Sequence, residues 1–316
     1  MNYFVTGGAG FIGSNYVRML LTNQLGPVSK VTVLDKLTYA GNLENLSEVV
    51  LDPRFQFVKG DICDENLVRG LISKNDIVVH FAAESHVDRS ISGPSEFVRT
   101  NVLGTQILLS AAVVNEAQLF LHVSTDEVYG SIESGSSIET DPLMPNSPYS
   151  ASKAASDLLV RSYIQTFGLN AKITRCCNNY GPNQYPEKFI PLSISKLKQN
   201  KRIPVYGDGL NVREWIHVKD HCKGIQEVIE FGDSGEIYNI GSGFLISNIH
   251  LAEKIVQVFS KEFETSIEFI QDRLGHDIRY SLNSNKFHQL TSKLQSKDPS
   301  TEDFKLMEFL NRASRN

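Results

Sequence analysis

Cysteine is scarce: four residues in 316, Cys63, Cys176, Cys177 and Cys222. None forms a CxxC pair, and the neighbours Cys176 and Cys177 are poorly placed to bridge each other. A disulfide scaffold is excluded and reduced core thiols are expected. The eight histidines show no metal-ligand spacing, so no metal is expected. Positive charge is also short. Lys and Arg total 31 against 36 Asp and Glu, a net charge of −5, which argues against a broad nucleic-acid surface. An anionic ligand must then be met by a local cationic cluster. No apolar stretch approaches the ~20 residues of a membrane helix, and the chain runs at once into a β-like segment and a glycine motif, leaving no room for a signal peptide. A cytoplasmic protein without membrane attachment is expected. Internal repeats and low-complexity linkers are missing too. What is present, 41% hydrophobic and 21% charged residues, suits one large α/β unit or two closely joined lobes, each with its own core.

Tyr3-Phe4-Val5 reads as a short buried strand, Gly7 to Gly13 as a turn, and Ser14 to Gln24 as a helix with Val17, Leu20 and Leu21 on one face, ended by Gly26-Pro27. The next strand, Val31 to Leu34, ends at Asp35. That is roughly the ~20-residue distance at which an acid binds the adenosine ribose of a dinucleotide. Asp35 would repel a 2′-phosphate, favouring NAD over NADP. Gly7, Gly10 and Gly13 are needed because side chains would block the tight turn and the approach of a pyrophosphate to the helix N-terminus. Further strands at Phe55–Val58, Asp76–Phe81 and Leu119–Ser124 alternate with helices at Glu65–Ser73 and Pro94–Asn115. The pattern predicts a Rossmann-like, doubly wound parallel sheet. Its ligand crevice lies at the carboxyl ends of the strands, at Asp35, Asp61-Ile62, Ala82 to Ser85 and Ser124 to Glu127.

Two groups in that crevice carry chemistry. Tyr149 and Lys153 lie four apart on one face of a helix predicted from Pro148 to about Phe167, with Gly168 as its stop. A tyrosine base working near neutrality needs its pKa lowered by roughly three units, about 4 kcal/mol. A cation ~4 Å away at an effective dielectric of ~20 supplies energy of that order. Asp126 and Glu127 follow the short Thr125 at a strand end. Thr125 is suited to hold a hydroxyl that Tyr149 deprotonates, Asp126 to donate a proton and Glu127 to accept one. Adjacent carboxylates in a closed site are expected to push their pKa values apart.

With these segments in view, the chain resembles the extended short-chain dehydrogenase/reductase family and, within it, the dTDP-glucose 4,6-dehydratases of the RmlB type. The likeness covers about residues 3–280. It is carried by Asp35 to Leu43 (DKLTYAGNL), Ala82 to Pro94 (AAESHVDRSISGP), Ser124 to Gly130 (STDEVYG), Tyr149 to Lys153, Asn178 to Pro182 (NNYGP), Tyr206 to Trp215 (YGDGLNVREW) and Asp272 to Tyr280 (DRLGHDIRY). The resemblance implies an NAD-binding domain over 1–175, a nucleotide-sugar lobe over 176–316 partly interleaved with it, and a homodimer through the helices around 94–115 and 149–167. It implies NAD contacts from Phe11, Ile12, Asp35, Lys36, Leu37, Thr38, Asp61, Ile62, Ala82, Ala83, Thr100 and Asn179. Sugar-nucleotide contacts are implied for Ser85, Thr125, Asn178, Lys188, Pro204, Tyr206, Arg213, Asn248, Arg273 and His276. Lys188, Arg213 and Arg273 are the local cationic cluster, suited to a diphosphate.

The implied reaction oxidises a glucose unit at carbon 4, eliminates water across carbons 5 and 6, and returns hydride to carbon 6. A UDP-glucose 4,6-dehydratase and a nucleotide-sugar 4-epimerase are the alternatives; the epimerase leaves Asp126 and Glu127 unexplained. A non-catalytic NAD-binding protein would be expected to have lost these groups. The chain departs from its relatives at Cys177, where they often have Ser. It also departs after Tyr280, where a Trp-Lys-Pro segment is missing and only a helix over Thr301–Asn311 is expected.

Overall fold

In the computed structural model, residues 1–290 and 299–315 are described. The strands are β1 (Asn2–Thr6), β2 (Lys30–Asp35), β3 (Phe55–Lys59), β4 (Asp76–His80), β5 (Leu119–Thr125), β6 (Ala171–Cys176), β7 (Asn178–Tyr180), β8 (Ile203–Tyr206), β9 (Val212–His217), β10 (Ile237–Ile240), β11 (Leu245–Ser247) and β12 (Ile267–Ile270). Seven of them form one parallel sheet in the order β10-β6-β5-β4-β1-β2-β3. The order reverses direction between β1 and β4, and there a crevice opens at the carboxyl ends.

Both faces of this sheet are covered, which is why its strands read as unbroken apolar runs. Tyr3, Val5, Val31, Val33 and Val79 pack on one side, under the helices Phe11–Leu21 and Val218–Phe231. Phe4, Leu34, Val78 and Phe120 point to the other, under Glu65–Leu71, Pro94–Val114 and Pro148–Phe167. A third core, around Tyr180, Trp215, Ile246 and Leu251, belongs to the smaller lobe. That lobe holds a three-stranded sheet, β11-β9-β7, and the pair β12-β8.

The chain does not stay in the smaller lobe once it has entered it. β10 returns to the edge of the main sheet beside β6, and the helix Val218–Phe231 packs on the first helix, with Tyr16 donating to Gln226 Oε1 at 2.7 Å. The polar tail predicted to hold one helix has it over Pro299–Arg315, where Glu302 accepts from Tyr180 Oη at 2.8 Å.

Two expectations are corrected. The segment 94–114 is 21 residues with a mean hydropathy of 1.4 in its most apolar window, long and apolar enough to cross a membrane by those measures. Half of that window is buried inside the protein, because the segment is a core helix lying across the sheet. Nor is it a plain α-helix: Val98–Gly104 is wound as a π-helix, a widening that recurs at functional sites.

The helix Pro148–Phe167 forms where predicted. Proline starts it, and Ser147 and Ser150 build a reciprocal capping box at 3.0 Å in both directions. Gly168 closes it in the left-handed region at φ 66°. Ser147→Ala should therefore cost about 1 kcal/mol of stability, read as a lower denaturant midpoint. An unchanged midpoint would mean that the box is ornamental.

Candidate active site

A cavity of about 480 Å³ runs from the glycine turn after β1, across the ends of β2, β4, β5 and β6, to the smaller lobe. Every site position selected from the sequence lines it except Leu37. Leu37 stands apart for a local reason. Its backbone sits at φ 55°, its side chain packs on the core, and its amide donates to Asp35 Oδ1 at 2.8 Å. It shapes Asp35 and does not line the cavity.

The dinucleotide end fits NAD on its own geometry. A Cβ on Gly7, which sits at φ 70°, would stand 2.6 Å from the Ala82 nitrogen, and one on Gly13 would stand 2.3 Å from the Gly7 carbonyl. Only glycine leaves that floor open. The helix Phe11–Leu21 begins at Gly10 with no side-chain cap, so its first amides face the cavity as an anion seat. Asp35 accepts from the Ala9 amide at 2.9 Å as well as from Leu37, leaving lone pairs for ribose hydroxyls. Burial pushes its carboxyl upward while the two amides pull it down. Lys36 pairs with Asp61 at 2.9 Å, and the π-helix brings Thr100 to the wall.

At the carboxyl end of β5 the chain turns into a single 3₁₀ turn, Asp126–Tyr129. Thr125 Oγ1 donates to Asp126 Oδ1 at 3.1 Å and accepts from the Glu127 amide at 3.3 Å. Asp126 is only 3% exposed, and its Oδ2 is a buried oxygen without a hydrogen-bond partner among the described residues. Burial pushes the Asp126 carboxyl well above the usual range, and the charges of Glu127 and Glu214 push it further. Burial raises Glu127 as well, but Arg273, Lys188 and Arg213 oppose the rise. The two acids are therefore separated, though not by moving in opposite directions: both go up, and Asp126, which only Arg213 of the three cations opposes, goes up more.

The tyrosine departs from expectation. Tyr149 is raised well above its ordinary value, first by burial and then by Glu127, Cys176 and Asp126, with the Thr125 hydroxyl pulling it down. Lys153 does not aim its ammonium at the phenol. It donates to the Val123 carbonyl at 2.8 Å, and burial draws its own pKa down to about 8. Desolvation of the phenolate outweighs the helical proximity of one lysine.

The smaller lobe supplies the far wall. Lys188 donates to the Ser85 carbonyl at 2.9 Å; Arg213 lies 4.4 Å over the Tyr280 ring and donates to the Asp277 carbonyl at 2.8 Å. Arg273 stands 3.8 Å from Asp88, whose carboxylate also accepts from Tyr206 Oη at 3.2 Å. His276 Nδ1 is 2.6 Å from Asp272. The three cations face Glu127 electrostatically as well as one another. Asn179 is held by Cys177 and His221, and Cys177 itself lines the wall.

Several wall residues were not selected from the sequence. Tyr39, His86, Asp88, Tyr185, Glu187 and Tyr280 all line the cavity, and four of them lie inside the AAESHVDRSISGP, DKLTYAGNL and DRLGHDIRY segments. Asn101 binds both backbone groups of Glu84, at 2.8 and 3.0 Å, and Ser152 Oγ at 2.8 Å. It joins the loop after β4 to the helix of Tyr149, and the π turn that aims it has no sequence signature.

The GDP-mannose 4,6 dehydratase family profile matches residues 4–292. The chain belongs to that family. A dTDP-glucose 4,6-dehydratase of Actinoplanes sp. is 53% identical over 289 residues, covering 90% of each chain. The solved structure of DesIV, a dTDP-glucose 4,6-dehydratase from Streptomyces venezuelae with NAD bound, superposes with a TM-score of 0.94 at 50% identity, covering 100% of this chain and 97% of that one. A UDP-glucuronic acid 4-epimerase from Bacillus cereus shares the fold at a TM-score of 0.88, but only 26% identity, with 100% and 99% covered.

Gly13→Ala should weaken NAD binding about tenfold or more, at least ~1.4 kcal/mol. The quench of Trp215, the single tryptophan and a wall residue, measures it. Parental affinity in the variant would remove the glycine turn from the cofactor seat.

Proposed function

We propose that this protein is an NAD-dependent lyase that converts dTDP-glucose to dTDP-4-keto-6-deoxyglucose. The observation that carries the reading is the junction in one cavity of Thr125-Asp126-Glu127 with Tyr149 and Lys153. Relatives at 50–55% identity named for this reaction support it.

Thr125 holds the glucose 4-hydroxyl, and Tyr149 takes its proton. When bound, NAD supplies a positive nicotinamide that accepts the hydride leaving carbon 4 and returns it to carbon 6. The Tyr149 phenol, raised by burial, needs that positive charge and the Lys153 ammonium to act as a base. The 4-ketone acidifies carbon 5, whose proton Glu127 removes. Asp126, its carboxyl raised by burial, protonates the departing 6-hydroxyl, and as the hydride returns to carbon 6 Glu127 gives its proton back to carbon 5. Elimination follows oxidation because hydroxide leaves readily only once the ketone stabilises the carbanion. An epimerase needs none of the two acids.

Lys188, Arg213 and Arg273 meet the diphosphate, with Ser85, Asn178, Pro204, Tyr206, Asn248 and His276 around the sugar and nucleoside. A homodimer and a cytoplasmic location belong to the same proposal. Val98, Leu103, Val114, Leu158 and Phe167 are exposed apolar side chains on the two helices expected to pair, and the four cysteines are free thiols.

On mixing with dTDP-glucose, Tyr149→Phe should give no absorbance of bound NADH. Asp126→Asn should give that absorbance yet lose water about 10²–10⁴ times more slowly. Dehydration at the parental rate by Asp126→Asn would end its role as the acid, and turnover of UDP-glucose alone would change the nucleotide.

A further inference from the structure

Beneath the cavity floor lies a charged chain that the reaction as written does not use. Arg175, on β6, donates from Nε to Asp157 Oδ2 at 2.9 Å. The other carboxylate oxygen, Oδ1, faces His122 Nε2 on β5 at 3.4 Å, and the same nitrogen lies 3.5 Å from Lys153 Nζ. Asp157 is one helical turn beyond Lys153, so both descend the same face of their helix. All four side chains are 4% exposed or less. Ionised groups at such depth are retained only when paired.

We infer that Asp157, acting across His122, is the positioning residue and buried counter-ion of Lys153, keeping its ammonium charged and directed at the end of β5. The inference rests on the reading of Lys153 as part of the oxidising pair. The geometry is specific. The Lys153 ammonium makes its short hydrogen bond to Val123, two residues before Thr125, so the same ammonium also braces the strand end that carries the acids. His122 Nε2 faces a donor and an acceptor at once. With His122 held neutral by burial, which lowers its pKa to about 4, the carboxylate is the anion of the group. Arg175 competes for that carboxylate and is anchored elsewhere by Tyr129 Oη at 2.8 Å. The ionisable groups that interact with Lys153 are Asp157 from its own helix, His122 from β5, Cys176 from β6 and His80 from β4, with Arg175 of β6 on the far side of Asp157. Among them Asp157 is the acid that supports the charged lysine most.

The test follows the Lys153 ¹³Cε resonance through a pH titration of the NAD-loaded protein labelled in lysine, with Lys153→Met assigning the signal. Asp157→Asn should move the midpoint down by about one pH unit, since a lost anion disfavours the ammonium, while Asp157→Glu should restore most of it. If Asp157→Asn does not fold, Arg175→Gln decides: freeing the carboxylate should move the midpoint up. Unmoved midpoints in the variants that fold would make this a purely structural ion pair and overturn the inference. The readout needs no substrate, so a failure of the dehydratase reading appears separately, as absent turnover by the parent.

Discussion

The shortest buried contact of Lys153, a hydrogen bond from its Nζ to the Val123 carbonyl at 2.8 Å, joins the helix of the tyrosine to the strand of the acids. Each of those elements alone is ordinary: a parallel strand covered on both faces, and a capped helix lying on the sheet. Joined at this point, they bring Thr125, Asp126, Glu127 and Tyr149 into one water-poor pocket. Burial then sets the chemistry. Desolvation raises the two carboxyls and the phenol and lowers the lysine, so the neutral forms of all four are favoured together.

The smaller lobe answers this with cations. Lys188, Arg213 and Arg273 hold Glu127 closer to its ordinary range than Asp126, so one of two adjacent acids is readier to accept a proton and the other to give one. These are the cations proposed to meet a diphosphate. Substrate anchoring and the division of labour between the acids therefore draw on the same positive charge, and a substitution among the three is expected to disturb both.

Much of this was legible in the sequence, for identifiable reasons. The β1-turn-helix unit declares itself because glycine alone leaves room at Gly7 and Gly13, and Asp35 follows at the end of the next strand. The helix from Pro148 to Phe167 is marked at both ends, by Ser147-Pro148 and by Gly168. What escaped depended on long-range packing. The interleaving of the second lobe was expected, but nothing local in Ile237–Ile240 names β6 as its partner, and nothing in Val98–Gly104 says that it winds as a π-helix. Leu37 was selected by its segment, but a positive φ turned it to the core. The lowered tyrosine was expected from helical spacing, which gives the distance along a helix face but neither the depth of burial nor the direction of the lysine. The charged chain under the floor joins residues from β5, β6 and a helix, and each looks unremarkable in its own segment.

The central claim is that one cavity oxidises a sugar and removes water from it with the same hydride. Incubating the protein with dTDP-glucose carrying deuterium at carbon 4, and locating the label by mass and NMR, tests this most directly. The account predicts a product lighter by one water with the deuterium at carbon 6 of the same molecule. A product of unchanged mass with deuterium back at carbon 4, or a dehydrated product that has lost the label to solvent, would contradict it.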